Sequence, residues 1–362
     1  MGSSNLPLRP STSAPVNPHW AGIHIHTTDA SAASMLHLIL FVYERLPEPF
    51  EFLWCDTCTS ARSVEAFLKR ARHHRDRCFM LLQVEVLPTN VQQLLLKHLL
   101  ESKDDMARAG VSQNLHVVQT GNGKSILHVA HWISQHTNTS SLSREQARSI
   151  LRSFVLSGDD ISSVQYLIGN SGSGKTHMAR KQLAAWKSQG RPTAVFSINE
   201  GFSLESIARQ LHEVVLQHDG AMRMGLCFHI NLGRFKCAER SRWDELMHLV
   251  HCFFFGLLVL RSVKDPKGDF VFNVPPACGW SIIVEVPHRP GHLDEMHPIS
   301  DDEGVLQELP TLAYVGEKLT PTATFDLNPE ARLVCKYLKA YDDNSIDQMY
   351  GEGGGGPKVR SP

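Results

Sequence analysis

The sequence predicts an α/β protein built from two parallel sheets flanked by helices, and three observations predict it. Apolar runs of strand length alternate with amphipathic helical stretches from about residue 33 onward. A polar stretch, SQHTNTSSLSREQARS (134–149), splits that alternation into two blocks. In the second block a glycine- and serine-rich junction, GNSGSGKT, links a short apolar run to a helix. Strands that read as near-continuous apolar runs between helices are covered on both faces, which is the habit of parallel sheets. A chain of 362 residues, 42% of them hydrophobic, suffices for two cores.

Residues 1–32 read as a disordered leader, because MGSSNLPLRPSTSAPVNP lacks both core-forming residues and the apolar centre of a secretory signal. The first block, 33–140, is then helix 34–46, strand 50–55, helix 60–74, strand 78–87, helix 90–102 and strand 114–120. The second block, 141–350, opens at Ser143, whose partner Gln146 three residues on forms a capping box for a helix over 144–156. Strand 164–168, helix 175–188, strand 193–199, helix 203–217, strand 225–232 and helix 243–256 follow. Segments 269–274 and 280–286 are expected to form a hairpin, and the glycine-rich tail 351–362 to be disordered.

The junction after strand 164–168 carries the most specific signal. Gly169, Asn170, Ser171, Gly172, Ser173, Gly174, Lys175 and Thr176 fit Gly-x-x-x-x-Gly-Lys-Thr, the P-loop pattern. A triphosphate concentrates negative charge, so many backbone N–H groups must converge on it, and only a loop nearly free of side chains lets the backbone approach. The next helix directs its positive end at the same place, Lys175 reaches the β- and γ-phosphates, and Thr176 binds Mg²⁺. His177 completes the set expected around ATP. A flexible turn before an ordinary helix is the plain alternative, but a chance match in a chain of this length is roughly a one-per-cent event. A second Gly-Lys-Ser, at 123–125, has Val118 where the pattern needs glycine and reads as a turn after a strand.

Composition narrows the partners. With 36 basic against 37 acidic residues and no basic block, nothing favours nucleic acid. Eight scattered cysteines and no secretory signal point to a reducing, cytoplasmic setting. Cys55 and Cys58 have half the spacing of a zinc site, yet no second half follows. The most apolar stretch, Leu246 to Leu260, falls short of the roughly 20 residues a bilayer needs and contains His248 and His251, so a core helix is expected and no transmembrane segment.

Hydrolysis asks for more than binding. It needs a strand ending in carboxylates, one for the metal and one to activate water. Strand 225–232 instead ends through His229 and Asn231. Glu285, in IIVEVP, is the candidate substitute base, and it needs an inserted segment before it. The first block has the opposite defect: Gln83 and Glu85 end an apolar strand, but the junction WCDTCTSARSV has neither glycine nor lysine. That block reads as a degenerate, structural unit.

Taken in order, FEFLWCDTCTSARSVEAFLKRA, QVEVLPTNVQQLLLKHLL, YLIGNSGSGKTHMARKQL, FSINEGFSLESIARQL, GWSIIVEVP and LVCKYLKAYDD resemble the AAA+ core of the mysterin-like giant ATPases, which are also RING-type E3 ubiquitin ligases. The resemblance implies tandem AAA+ units, some of which hold nucleotide without turning it over. This chain is far shorter than that family and carries no RING-type Cys/His series, so ligase activity belongs to the family's context alone. Three functions stay open: a Mg-ATP-binding module that passes its nucleotide state to neighbouring AAA+ units or subunits, an active ATPase using Glu285 or a neighbouring chain's carboxylate, and a P-loop phosphotransferase, for which lid arginines are not evident.

Overall fold

The computed structural model describes residues 22–29, 31–43, 45–109, 113–121, 133–137, 142–156, 163–169, 173–199, 203–217, 225–232, 240–264, 271–274, 279–286, 304–320, 332–334 and 336–337. The chain folds as an α/β protein in which two five-stranded parallel sheets are flanked by helices.

The first sheet begins earlier than the sequence suggests. Strand β1 (Gly22–Thr28) falls within the stretch expected to be leader, and it pairs with two neighbours near the sheet's centre. Its GIHIHTT alternates isoleucine with histidine; the isoleucines enter the core and the histidines are buried as well, so a strand that looks half polar is sealed on both faces. Residues 1–21 lie outside the described residues. Helix α1 (Ala32–Tyr43), strand β2 (Phe52–Trp54), helix α2 (Ala61–His73), strand β3 (Cys78–Leu82), helix α3 (Thr89–Ala109), strand β4 (Asn114–Thr120) and strand β5 (Ser134–Thr137) complete the unit. The expected strand 78–87 stops at Leu82, where Gln83 takes a left-handed φ of 55° and starts a short 3-10 turn, Val84–Val86.

The second unit opens with helix α4 (Arg144–Leu156), capped as expected: the Ser143 N–H donates to Gln146 Oε1 at 2.8 Å and the Gln146 N–H returns to Ser143 Oγ at 3.2 Å. Strand β6 (Ser163–Ile168), helix α5 (Lys175–Ser188), strand β7 (Thr193–Ile198), helix α6 (Leu204–Gln217), strand β8 (Leu226–Leu232) and helix α7 (Arg240–Phe254) follow. The expected hairpin does not form. Strand β10 (Val271–Asn273) instead pairs antiparallel with β9 (Ser262–Lys264), while β11 (Trp280–Val286) enters the main sheet parallel to both β6 and β8. Wholly buried and apolar but for Ser281 and Glu285, β11 suits a central parallel strand better than a hairpin arm. Helices α8 (Gly304–Glu308) and α9 (Pro310–Val315) lead to edge strand β12 (Glu317–Leu319).

The two sheets have one plan. Their orders are β5-β1-β4-β3-β2 and β12-β6-β11-β8-β7; with strands counted along the chain within each sheet, both read fifth, first, fourth, third, second. One face of the first sheet packs on α2 and α3 around Phe67, Phe79 and Leu95. The other face, with α1, merges into the core of the second unit, where Leu36, Phe52 and Met80 join Trp243, Phe255 and Leu312. His37 and the Tyr314 hydroxyl bond across this seam at 2.9 Å, and Trp54 packs edge-on against His248, His251 and Phe255.

The stretch expected to be a short core helix is longer than its apolar run. Ser241–Leu260 continues from α7 through a π-helical segment, Phe255–Leu260, and by length and composition it could cross a membrane; 67% of its apolar window is buried inside the fold.

Candidate functional site

The C-terminal edge of the second sheet is where β6 gives way to α5. Gly174, the residue before α5, has φ 89° and ψ 12°, left-handed geometry that glycine adopts without strain. It lets the chain turn sharply so that Lys175 and Thr176 open the helix. Lys175 Nζ folds back to donate to the carbonyl of Gly169, closing the loop on itself. Burial pushes the Lys175 ammonium below its usual range, and the Glu285 carboxylate partly offsets this. Ser173 Oγ is buried there, and His177 is exposed in the first turn of the helix. Asn170, Ser171 and Gly172 lie outside the described residues.

Glu285 is in this site. Strand β11 runs directly beside β6, with Glu285 at the level of Leu167, so its side chain emerges on the sheet face that α5 covers, alongside Leu167 and Ile283. The Thr176 hydroxyl donates to Glu285 Oε2 at 2.7 Å, and His229 Nε2 lies 2.6 Å from Oε1. Glu285 is 3% exposed and His229 2%. A carboxylate only accepts, so Nε2 carries the imidazole proton that joins the pair. Asn231, on β8 at the level of Glu285, supplies no carboxylate.

Glu285, expected from sequence as the candidate base, stands at the start of α5 with a partner on each carboxylate oxygen. Both Glu285 oxygens are already engaged, one of them by the P-loop threonine itself. A carboxylate so placed can orient the threonine hydroxyl, whereas a general base must have an oxygen free to receive a proton from water. Sequence reading identified Glu285 and His229 separately and missed their union, because β11 is separated from β8 by α7 and the β9–β10 ribbon. The usable signal was alternation: Cys227, His229 and Asn231 share one face of β8, as Ser281, Ile283 and Glu285 share one face of β11.

In the first sheet the junction that corresponds by strand order to the P-loop is the one after β1. The stretch after β2, read from sequence as that junction, occupies a different place. The β1–α1 turn also has neither glycine nor lysine, and a carboxylate of the chain fills it: Asp29 accepts from the Ser31 N–H at 2.9 Å, the Ser31 hydroxyl at 2.6 Å and the Ser34 hydroxyl at 2.8 Å. Burial alone would raise the Asp29 carboxyl, but these hydrogen bonds override it and hold the group below its usual range. Glu85, in the 3-10 turn after β3, accepts from the Thr120 hydroxyl at 2.7 Å, and Gln83 accepts from the Trp54 indole at 2.7 Å. The loop after β2 is closed by Asp56, which accepts from the Cys58 N–H and the Thr59 hydroxyl.

The second-sheet site suits a magnesium nucleotide. Among the described residues no group of three or more His, Cys, Asp or Glu side chains could hold a metal alone. Mg²⁺ keeps most of its waters and takes one or two protein oxygens plus phosphate, so a threonine hydroxyl backed by one carboxylate is a fitting protein share. The half-buried lysine at the start of α5 supplies the charge a phosphate would meet. No protein-family model matches the chain, and no curated protein matches it.

Proposed function

We propose that the chain is a Mg-ATP-binding module whose P-loop unit holds nucleotide with weak or no hydrolysis, and whose first unit is a degenerate copy that binds none. The observation that carries this reading is the Thr176 hydroxyl turned onto Glu285 at the mouth of the glycine loop. Gly169 and Gly174 shape the loop, the start of α5 and Lys175 face the phosphates, and Glu285 fixes the threonine proton so that the hydroxyl oxygen is free for the metal. Bound Mg²⁺ would neutralise charge between the terminal phosphates. With Glu285 committed to Thr176 and Asn231 beside it, activation of water is the weak part.

The shared strand order of the two sheets supports tandem units of AAA+ type, and with the ordered sequence segments it supports kinship to the mysterin-like ATPases. Ubiquitin transfer is no part of the function proposed for this chain. Among the described residues no disulfide joins the cysteines, which suits a reducing, cytoplasmic setting. Neighbouring AAA+ units or subunits are the proposed recipients of the nucleotide state.

Equilibrium titration of the full chain with a fluorescent ATP analogue in Mg²⁺ tests the reading. Wild type and Asp29→Ala should bind alike, and Lys175→Ala should abolish binding. Binding that survives Lys175→Ala, or is lost with Asp29→Ala, would place the nucleotide elsewhere.

A further inference from the structure

We infer that His229 is a positioning residue for the metal half of the nucleotide site: it holds Glu285 in the one orientation that turns the Thr176 hydroxyl oxygen toward the loop. The inference rests on the nucleotide reading above and adds a residue that no P-loop pattern contains.

Geometry carries it. His229 stands on β8, which does not touch β6; β11 lies between them. The register sets His229 opposite Ile283, two residues short of Glu285, on the same face of the sheet. Its ring therefore reaches diagonally along that face to place Nε2 2.6 Å from Glu285 Oε1. Glu285 has three side-chain torsions and, in a site this buried, a carboxylate with one partner would turn to whatever donor it could find. The two donors divide its oxygens, His229 on one and Thr176 on the other. The Thr176 proton is thereby pinned toward Glu285, and the lone pairs of its oxygen point away, as a metal ligand requires.

His229 Nδ1 adds a second observation. It is buried and has no hydrogen-bond partner among the described residues. An unpaired buried nitrogen carries a desolvation cost, so Nδ1 gives the ring no polar anchor of its own. This ring is satisfied on one side only, the side facing Glu285.

The consequence separates two kinds of binding. Phosphate held by backbone N–H groups and Lys175 does not depend on Glu285, whereas Mg²⁺ does. Substitution at His229 should therefore leave metal-free nucleotide binding in place and weaken the magnesium response. Losing a group that orients a metal ligand commonly lowers metal affinity about ten- to a hundredfold.

The test uses the full chain, a fluorescent ATP analogue, and Mg²⁺ titrated from a chelator-buffered zero, with three proteins compared. His229→Gln keeps an amide nitrogen at the reach of Nε2 and should retain the wild-type magnesium dependence. His229→Asn keeps a buried amide of similar polarity that stops short of Glu285; it should lose about ten- to a hundredfold in Mg²⁺ affinity while binding the metal-free analogue as before. The polar Gln and Asn variants share the cost of altering the core, so a difference between them reports reach. A magnesium response equal in both variants overturns the role of His229 alone. A wild-type chain that binds no analogue, or binds it without regard to Mg²⁺, overturns the nucleotide reading and this inference with it.

Discussion

At His251 the seam between the two units is dry enough to keep an imidazole uncharged. Its ring packs against Trp54 and Phe255, neither ring nitrogen has a hydrogen-bond partner among the described residues, and burial, helped by nearby His248, pushes its pKa down to about 3. The ordinary value is 6.5, so between pH 6.5 and about 3 the unfolded chain binds a proton that the folded chain refuses. Stability is then fully present above pH 6.5 and falls as the pH drops, by about 1.4 kcal/mol per pH unit from this residue. His248 is shifted the same way, by burial first, and adds to the slope. His251→Phe, which suits the aromatic surroundings, should flatten the pH dependence of urea unfolding below pH 6.5. An unchanged slope would mean that the ring is solvated. Residues of this kind are poorly legible in sequence: HLVHC reads as two histidines on a helix, and only the packing of Trp54 from another element decides their charge. Lys175 and Thr176, by contrast, open α5 where their spacing after the glycines places them.

Among the elements, those whose period matched their burial were read correctly and those whose polar residues are buried were not. The capping box at Ser143 and Gln146 needs only local geometry, and it forms where the sequence placed it. Strand β1 was missed because buried His24 and His26 look like surface residues in a one-dimensional pattern. Strand β11 was recognised as a strand and given the wrong neighbour, since its partners β6 and β8 are remote in sequence whereas β10 is adjacent. The π-helical end of α7 had no sequence signature of its own, and its geometry depends on Gly256. A methyl group there would stand 2.7 Å from the Ser262 carbonyl oxygen, a backbone atom that cannot swing away. Gly256→Ala should cost about 1–3 kcal/mol, typical of overpacking in a tight core, visible as a lower urea midpoint at constant m-value. A midpoint unchanged within error would show that the segment adjusts freely.

For the whole molecule, the common strand order sets two similar sheets side by side, and the core decides that they stand or fall together. Helix α1 and β2 of the first unit are packed into the same apolar cluster as α7, α8 and α9 of the second. Urea unfolding followed by tryptophan fluorescence and by far-UV circular dichroism should give one coincident transition. Two separated transitions would mean that the seam contributes little. We propose that this molecule holds nucleotide far better than it consumes it, because the Gly-x-x-x-x-Gly-Lys-Thr pattern is complete in the sequence while Glu285 is engaged by Thr176 and Asn231 stands in the neighbouring strand. Lack of a general base commonly costs about 10²–10⁴ in rate and leaves phosphate binding untouched. The most direct measurement is phosphate release by the purified full chain at a Mg-ATP concentration that saturates binding. Release barely above background is expected from a protein that is fully loaded. Turnover at about 1 s⁻¹ or faster, stopped by Glu285→Gln in a variant that still binds, would contradict it and make Glu285 the base.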